Sequence, residues 1–171
     1  MCITNASWVR KDKMFTGASD AVGSIMSALI VCPHDGGPMH PVNPDSYSCT
    51  VCHRNFSVES GVLRLLDRND EFYEGNYGNQ VKFVPRSEHP WHTWPLWLIN
   101  SGHPWLVRKY VPEGGVVVEL GCAGGVRYFG KRYRMIGCDL SFSAPKKLNG
   151  IYDCLVQVDA SVRIPVPDKS V

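Results

Sequence analysis

The sequence predicts an α/β chain: the first three strands of a doubly wound parallel sheet, preceded by a small β module. Three observations carry that expectation. The β-branched run Val116 to Val118 empties into a glycine-rich turn at Gly121, Gly124 and Gly125, as a strand buried on both faces does before a helix. Acidic residues, Glu119, Asp139 and Asp159, close three successive apolar segments, the place where ligands meet an open α/β sheet. Upstream, Cys32, Asp35, Cys49 and Cys52 follow the pattern C-x2-D-x13-C-x2-C, a spacing suited to two metal-binding knuckles.

Composition bounds the function classes. The 171 residues suit one domain, or a small one with part of another. With 18 basic against 16 acidic residues the net charge is +2, which argues against a general polyanion binder and an acidic tail. At 44% hydrophobic and 20% charged the chain can bury a core. It has no apolar run long enough for a membrane span and no basic-then-apolar secretory leader, so the expected compartment is the cytoplasm. Seven cysteines, an odd number of which three cluster in a metal-like spacing and the rest are scattered, argue against a disulfide framework, and the sequons at Asn5 and Asn55 then carry no weight.

Along the chain, residues 1–27 lack periodicity and read as a flexible leader, with Met26 a candidate start ahead of the apolar run Ala28 to Val31. Residues 28–66 read as a compact β unit: a strand ending at Cys32, a turn through Asp35, Gly36 and Gly37, a strand into "YSCTVC", then "FSVESGVLRLL". So small a unit needs a staple to fold. Residues 67–114 form an aromatic-rich linker or cap, with one or two helices expected in "WPLWLINSGHPWLVRKYV", broken by Gly102 and Pro104. From 115 to 171 the order is strand, glycine turn, short helix, strand, connection, strand, the βαβ grammar of a parallel sheet.

Glycine-rich turns let the backbone approach a ligand closely. A dinucleotide fingerprint starting at Gly121 needs glycine where Ala123 and Val126 stand, so the pyrophosphate reading fails twice. What fits is acid-x-Gly-x-small-x-Gly, from Glu119 to Gly125.

On these residues the chain resembles the class I S-adenosylmethionine-dependent methyltransferases, in the branch called methyltransferase type 11. "VVELGCAGG" is similar to their first motif, "MIGCDLS" to the second strand with its terminal acid, and "VQVDASVRIPVPDKSV" to the third strand and its proline-bearing loop. The resemblance implies a Rossmann-like sheet with S-adenosylmethionine as cofactor. It implies Gly121, Cys122, Ala123 and Gly125 against the methionine and ribose, and Glu119 at the amino-acid end. It places Asp139 on both ribose hydroxyls, with Leu140 beside it, and Asp159 and Ala160 at the adenine edge. A carboxylate suits a diol because two hydroxyls donate to its two oxygens. Structural roles stand beside these: Asp139 as a helix N-cap helped by Ser141, and Asp159 as a turn cap.

The chain departs from that family at Ala123, where glycine is usual, and in a short helix between Gly125 and Asp139. It reaches Val171 after about half of the family's sheet, so it reads as a truncated piece with weak or no turnover of its own.

The upstream thiols carry a second resemblance. Thiolates bind zinc strongly and a carboxylate can replace one, which makes Cys32, Asp35, Cys49 and Cys52 the expected ligands, with His34, His40 and His53 in competition. A ribbon that binds no metal is the alternative. Residues 29–66 resemble the zinc-ribbon activator subunit of tRNA and protein methyltransferases, through the Cys-Pro start, the Gly-Pro turn, Cys-x-x-Cys, and the closing aromatic, glycine and paired leucines. That implies a module fused ahead of an enzyme, and a protein partner docking through it.

Arg127, Lys131, Arg132 and Arg134 interleave with Tyr128, Phe129 and Tyr133; they read as a solvated helix face rather than a nucleic-acid contact. Cys122, Cys138 and Cys154 read as small buried residues. His89, His92 and His103 have no metal spacing, and no residue stands out as a general base. The expected function is methyl transfer from S-adenosylmethionine to an acceptor the sequence does not name. The alternative from another class is a non-catalytic adaptor that binds a partner methyltransferase or other protein. An RNA-binding ribbon is a third, with little support from the charge.

Overall fold

A computed structural model describes residues 28–77, 102–122, 125 and 132–171. The leader, the tryptophans Trp91, Trp94 and Trp97, Ala123, Arg127, Lys131 and the helix expected after the glycine turn lie outside the described residues.

Four short strands come first: β1 (Met39–Asn43), β2 (Ser46–Cys49), β3 (Asn55–Glu59) and β4 (Val62–Arg64). Each pairs antiparallel with the next. The β3–β4 turn is Ser60-Gly61, with φ of 51° and 79°, the two left-handed positions of a tight hairpin. A π-helical turn (Phe72–Tyr77) follows, then helix α1 (Gly102–Tyr110), β5 (Val116–Leu120), β6 (Arg134–Asp139), the one-turn helix α2 (Ser143–Lys146) and β7 (Cys154–Gln157). Pro104 falls in the first turn of α1, where a missing N–H costs nothing, so it opens the helix instead of breaking it.

The expected doubly wound, Rossmann-like sheet with a separate β module is not what forms. The described strands make one mixed seven-stranded sheet, in the order β1-β2-β3-β4-β7-β6-β5, with few and short helices. The three parallel strands are part of it: β5 pairs with β6 and β6 with β7. The join is β4, which lies parallel to β7 with Val62 opposite Leu155, Leu63 opposite Val156 and Arg64 opposite Gln157.

Side-chain alternation explains why helices are not needed on one face. Ile136, Cys138, Cys154, Val156 and Val158 pack in one cluster with Ile30, which precedes β1, and with Met39, Tyr47 and Phe56 of the β1–β3 unit. That unit occupies the position a helix layer holds in a doubly wound sheet. On the other face Val117, Met135 and Leu155 pack with Tyr152, Leu148 and the α1 residue Val107. Val62 and Leu63 divide between the two faces, and both are fully buried. Val116 to Val118 are half-buried, not buried on both faces, because β5 ends the sheet.

Candidate metal centre and strand-end crevice

Two knuckles of the same shape build the thiol cluster. In the first, the Gly36 N–H donates to the Cys32 carbonyl at 2.9 Å; in the second, the His53 N–H donates to the Cys49 carbonyl at 3.1 Å. Gly36 and His53 both turn left-handed, at φ of 75° and 59°. Asp35 therefore stands in the first knuckle where Cys52 stands in the second.

The four ligand atoms, three Sγ and one carboxylate oxygen, lie within 4.8 Å of one another. Cys32 Sγ is 3.6 Å from Cys52 Sγ, and Cys49 Sγ is 3.4 Å from Asp35 Oδ1. Bonds of about 2.3 Å to sulfur and about 2.0–2.2 Å to oxygen, set at tetrahedral angles, require edges of about 3.8 and about 3.5 Å. The residues fit a metal ion such as zinc. The Val51 N–H points at Cys49 Sγ from 3.3 Å and orients it, as outer hydrogen bonds do for metal ligands. A Cβ on Gly37 would come within 2.9 Å of Cys49 Sγ and 3.0 Å of Asp35 Oδ1, so only glycine leaves the cluster its space.

Burial pushes the Cys32 thiol up to about 12, whereas the Gly37 N–H holds Asp35 at about 2. A divalent cation supplies the positive charge that makes buried thiols into ligating thiolates. The histidines stand outside the cluster: His34 Nε2 meets Arg54 Nη1 at 3.1 Å, and its ring stacks on Phe56.

The second constellation lies at the carboxyl ends of β5, β6 and β7. Odd-numbered residues there share the face opposite the thiol module: Glu119 is in register with Gly137, and Asp139 with Gln157. Gly137 must lack a side chain, since a Cβ would meet Cys122 Sγ at 2.9 Å and Tyr152 Cδ1 at 3.0 Å. The space admits the Tyr152 ring, whose hydroxyl donates to Glu119. Burial raises the Glu119 pKa; the Tyr152 hydrogen bond works the other way, and the nearby Asp139 carboxylate adds to the rise. Cys122 is buried beside them, its thiol raised first by burial and then by Asp139 and Glu119.

Gly121 turns at φ of 75°, donates its N–H to the Cys138 carbonyl at 2.8 Å, and has no atom of the described residues within 4 Å of where a Cβ would be. Gly125 turns at φ of 62° and donates to the Cys122 carbonyl. Asp139, 6% exposed, accepts the Ser141 N–H at 2.9 Å. Ser141 in turn accepts the Ala144 N–H of α2, so it is Ser141 that reaches the helix. Asp159 accepts the Ser161 hydroxyl and N–H at 2.6 and 2.9 Å, which lower its pKa. The turn-capping role is thus present.

Asp159 and Leu140 line a cleft of about 710 Å³ whose opposite wall is the segment Leu66 to Glu71. Glu119 and Gly121 are not among its lining residues, so the structure groups the sequence-predicted residues in two sets: Glu119, Asp139 and Cys122 together, Leu140 and Asp159 in the cleft. Ala160 follows Asp159 in its turn. Sequence reasoning missed the Leu66–Glu71 wall, Tyr152 and Gln157. The lone Gln157 within the apolar "CLVQV" was a readable signal.

No described helix is long and apolar enough to cross a membrane. No family model matches the chain, and no curated protein matches it.

Proposed function

We propose that this chain takes part in methyl transfer from S-adenosylmethionine, with its β1–β4 unit held together by zinc. The supporting observation is that Glu119 and Asp139 share one face at the carboxyl ends of the adjacent parallel strands β5 and β6, beside the Gly121 turn, while Asp159 follows the end of β7 and lines the cleft with Leu140. The fit is chemical as well as spatial. Acidic groups favour a sulfonium cation, a carboxylate such as that of Asp139 suits a ribose diol, and the cleft of about 710 Å³ lined by Leu140 and Asp159 is of the size that small ligands fill.

When bound, the cofactor supplies an electrophilic methyl group. The chain's residues align and shield it: Glu119 attracts the charged amino-acid end, while Leu140 offers an apolar surface to the base. The contribution is orientation and exclusion of water. Zinc on Cys32, Asp35, Cys49 and Cys52 is structural in this reading, because all four positions are filled by protein. The cytoplasm is the proposed setting, supported by the free thiols of the six described cysteines.

Calorimetry with S-adenosylhomocysteine tests the proposal. The wild type is expected to bind, and Asp139→Asn, which keeps an oxygen for Ser141 but loses the charged pair, to bind about tenfold or more weakly. Absence of binding, or binding indifferent to Asp139, would refute the assignment. Elemental analysis should find about one zinc per chain.

A further inference from the structure

The two walls of the cleft are tied together by one buried amide. Gln157, at the end of β7, is 0% exposed. Its Nε2 donates to Asn69 Oδ1 at 3.0 Å and to the Leu140 carbonyl at 3.2 Å. Asn69 belongs to one wall of the cleft and Leu140 to the other.

An amide can be turned either way, and Arg64 decides which. Its Nε donates to Gln157 Oε1 at 3.1 Å, and a guanidinium accepts nothing, so the carbonyl end must face Arg64 and the NH2 end the two walls. Arg64 is itself fixed: Nη1 donates to both Glu59 carboxylate oxygens at 3.1 and 3.0 Å, and Nη2 to Asn69 at 2.8 Å. Packing alone would be served by leucine at position 157, without the cost of burying an amide. The amide adds a fixed spacing between Asn69 and the Leu140 main chain.

We propose that Gln157, oriented by Arg64, is a positioning residue that sets the width of the cleft for a nucleoside. The inference rests on the cofactor reading above, because that reading names what the cleft admits. A site is only as exact as the side chains that hold its walls.

The test compares wild type, Asn69→Ala, Asn69→Asp and Gln157→Glu by S-adenosylhomocysteine calorimetry, thermal melting and amide hydrogen exchange over residues 66–71. Asn69 is exposed, so its substitution leaves the core intact. Asn69→Ala is expected to weaken binding about fivefold to tenfold with an unchanged melting temperature, and to speed exchange in the segment. Asn69→Asp keeps the acceptor oxygen and should restore wild-type affinity and protection. Gln157→Glu keeps an acceptor for Arg64 but sets an oxygen against the Leu140 carbonyl, and should lose more than Asn69→Ala. Wild-type affinity or exchange in Asn69→Ala, or no rescue by Asn69→Asp, overturns the proposal. If the wild type binds no S-adenosylhomocysteine, the cofactor reading fails, and exchange alone judges the tie: faster in Asn69→Ala upholds it, unchanged refutes it.

Discussion

Gly37 lies so close to Cys49 that a single added carbon would sit 2.9 Å from the sulfur and 2.7 Å from Val51 Cγ2. Gly37→Ala should therefore act on the metal site rather than on backbone freedom. A loss of stability of about 1–3 kcal/mol is expected from overpacking, with zinc content falling in parallel. Chemical denaturation and elemental analysis of the same samples check both; full zinc retention with wild-type stability counts against the geometry.

Asp35 occupies a cysteine's place in the first knuckle. Asp35→Cys should complete a four-thiolate site and tighten zinc binding about tenfold or more, since thiolate suits zinc better than carboxylate in a closed site. Competition with a chromophoric chelator measures it. Removing metal from the wild type should make Cys32 and Cys49, both 0% exposed, reactive towards thiol reagents.

Glu119 is an acid whose pKa is raised, above all by burial. Its sign follows: relative to the unfolded chain it favours folding below the unfolded value and loses that contribution as pH rises through its folded value. Glu119→Gln still accepts from Tyr152 but carries no charge to bury. It is expected to melt higher than wild type at pH 7, to lose the difference at pH 4, and to bind S-adenosylhomocysteine more weakly. A lower melting temperature at pH 7 would contradict the burial argument.

Glu74 behaves in the opposite sense. From the π-helical turn its carboxylate accepts the Ser143 hydroxyl and the amides of Phe142 and Ser143. Burial opposes the ion, but these donors outweigh it and hold the pKa below the ordinary 4.5. The contribution is present above that value and lost as pH falls through the lowered one. Glu74→Gln should cost about 1–2 kcal/mol at pH 7 and leave a flatter stability curve between pH 5 and 3. Melting temperatures of both proteins across that range decide it.

What was legible in the sequence was local. The knuckles repeat at a spacing of three, so Asp35 could be placed opposite Cys52 without coordinates, and the four expected ligands do gather. The β-branched Val116 to Val118 marked a strand, and Glu119, Asp139 and Asp159 fall at or within two residues of strand ends, because strand propensity and terminal charge are local properties. The architecture was not legible, because it turns on the pairing of β4 with β7. Nothing in "VLR" says whether its free edge meets solvent or a strand far along the chain, and the choice is made by total burial on both faces. Gln157 illustrates the same limit: an isolated polar residue in an apolar strand announces a partner without naming it.

Arg64 and Gln157 are 93 positions apart, yet they are neighbours across two strands. During synthesis at about 5–20 residues per second, that interval keeps the early hairpin waiting about 5–20 s for its mate. Throughout the delay Val62 and Leu63 have no lattice to enter, and the nascent edge is open to any passing strand. Misassembly through that open edge would begin on the ribosome, before the mating strand exists.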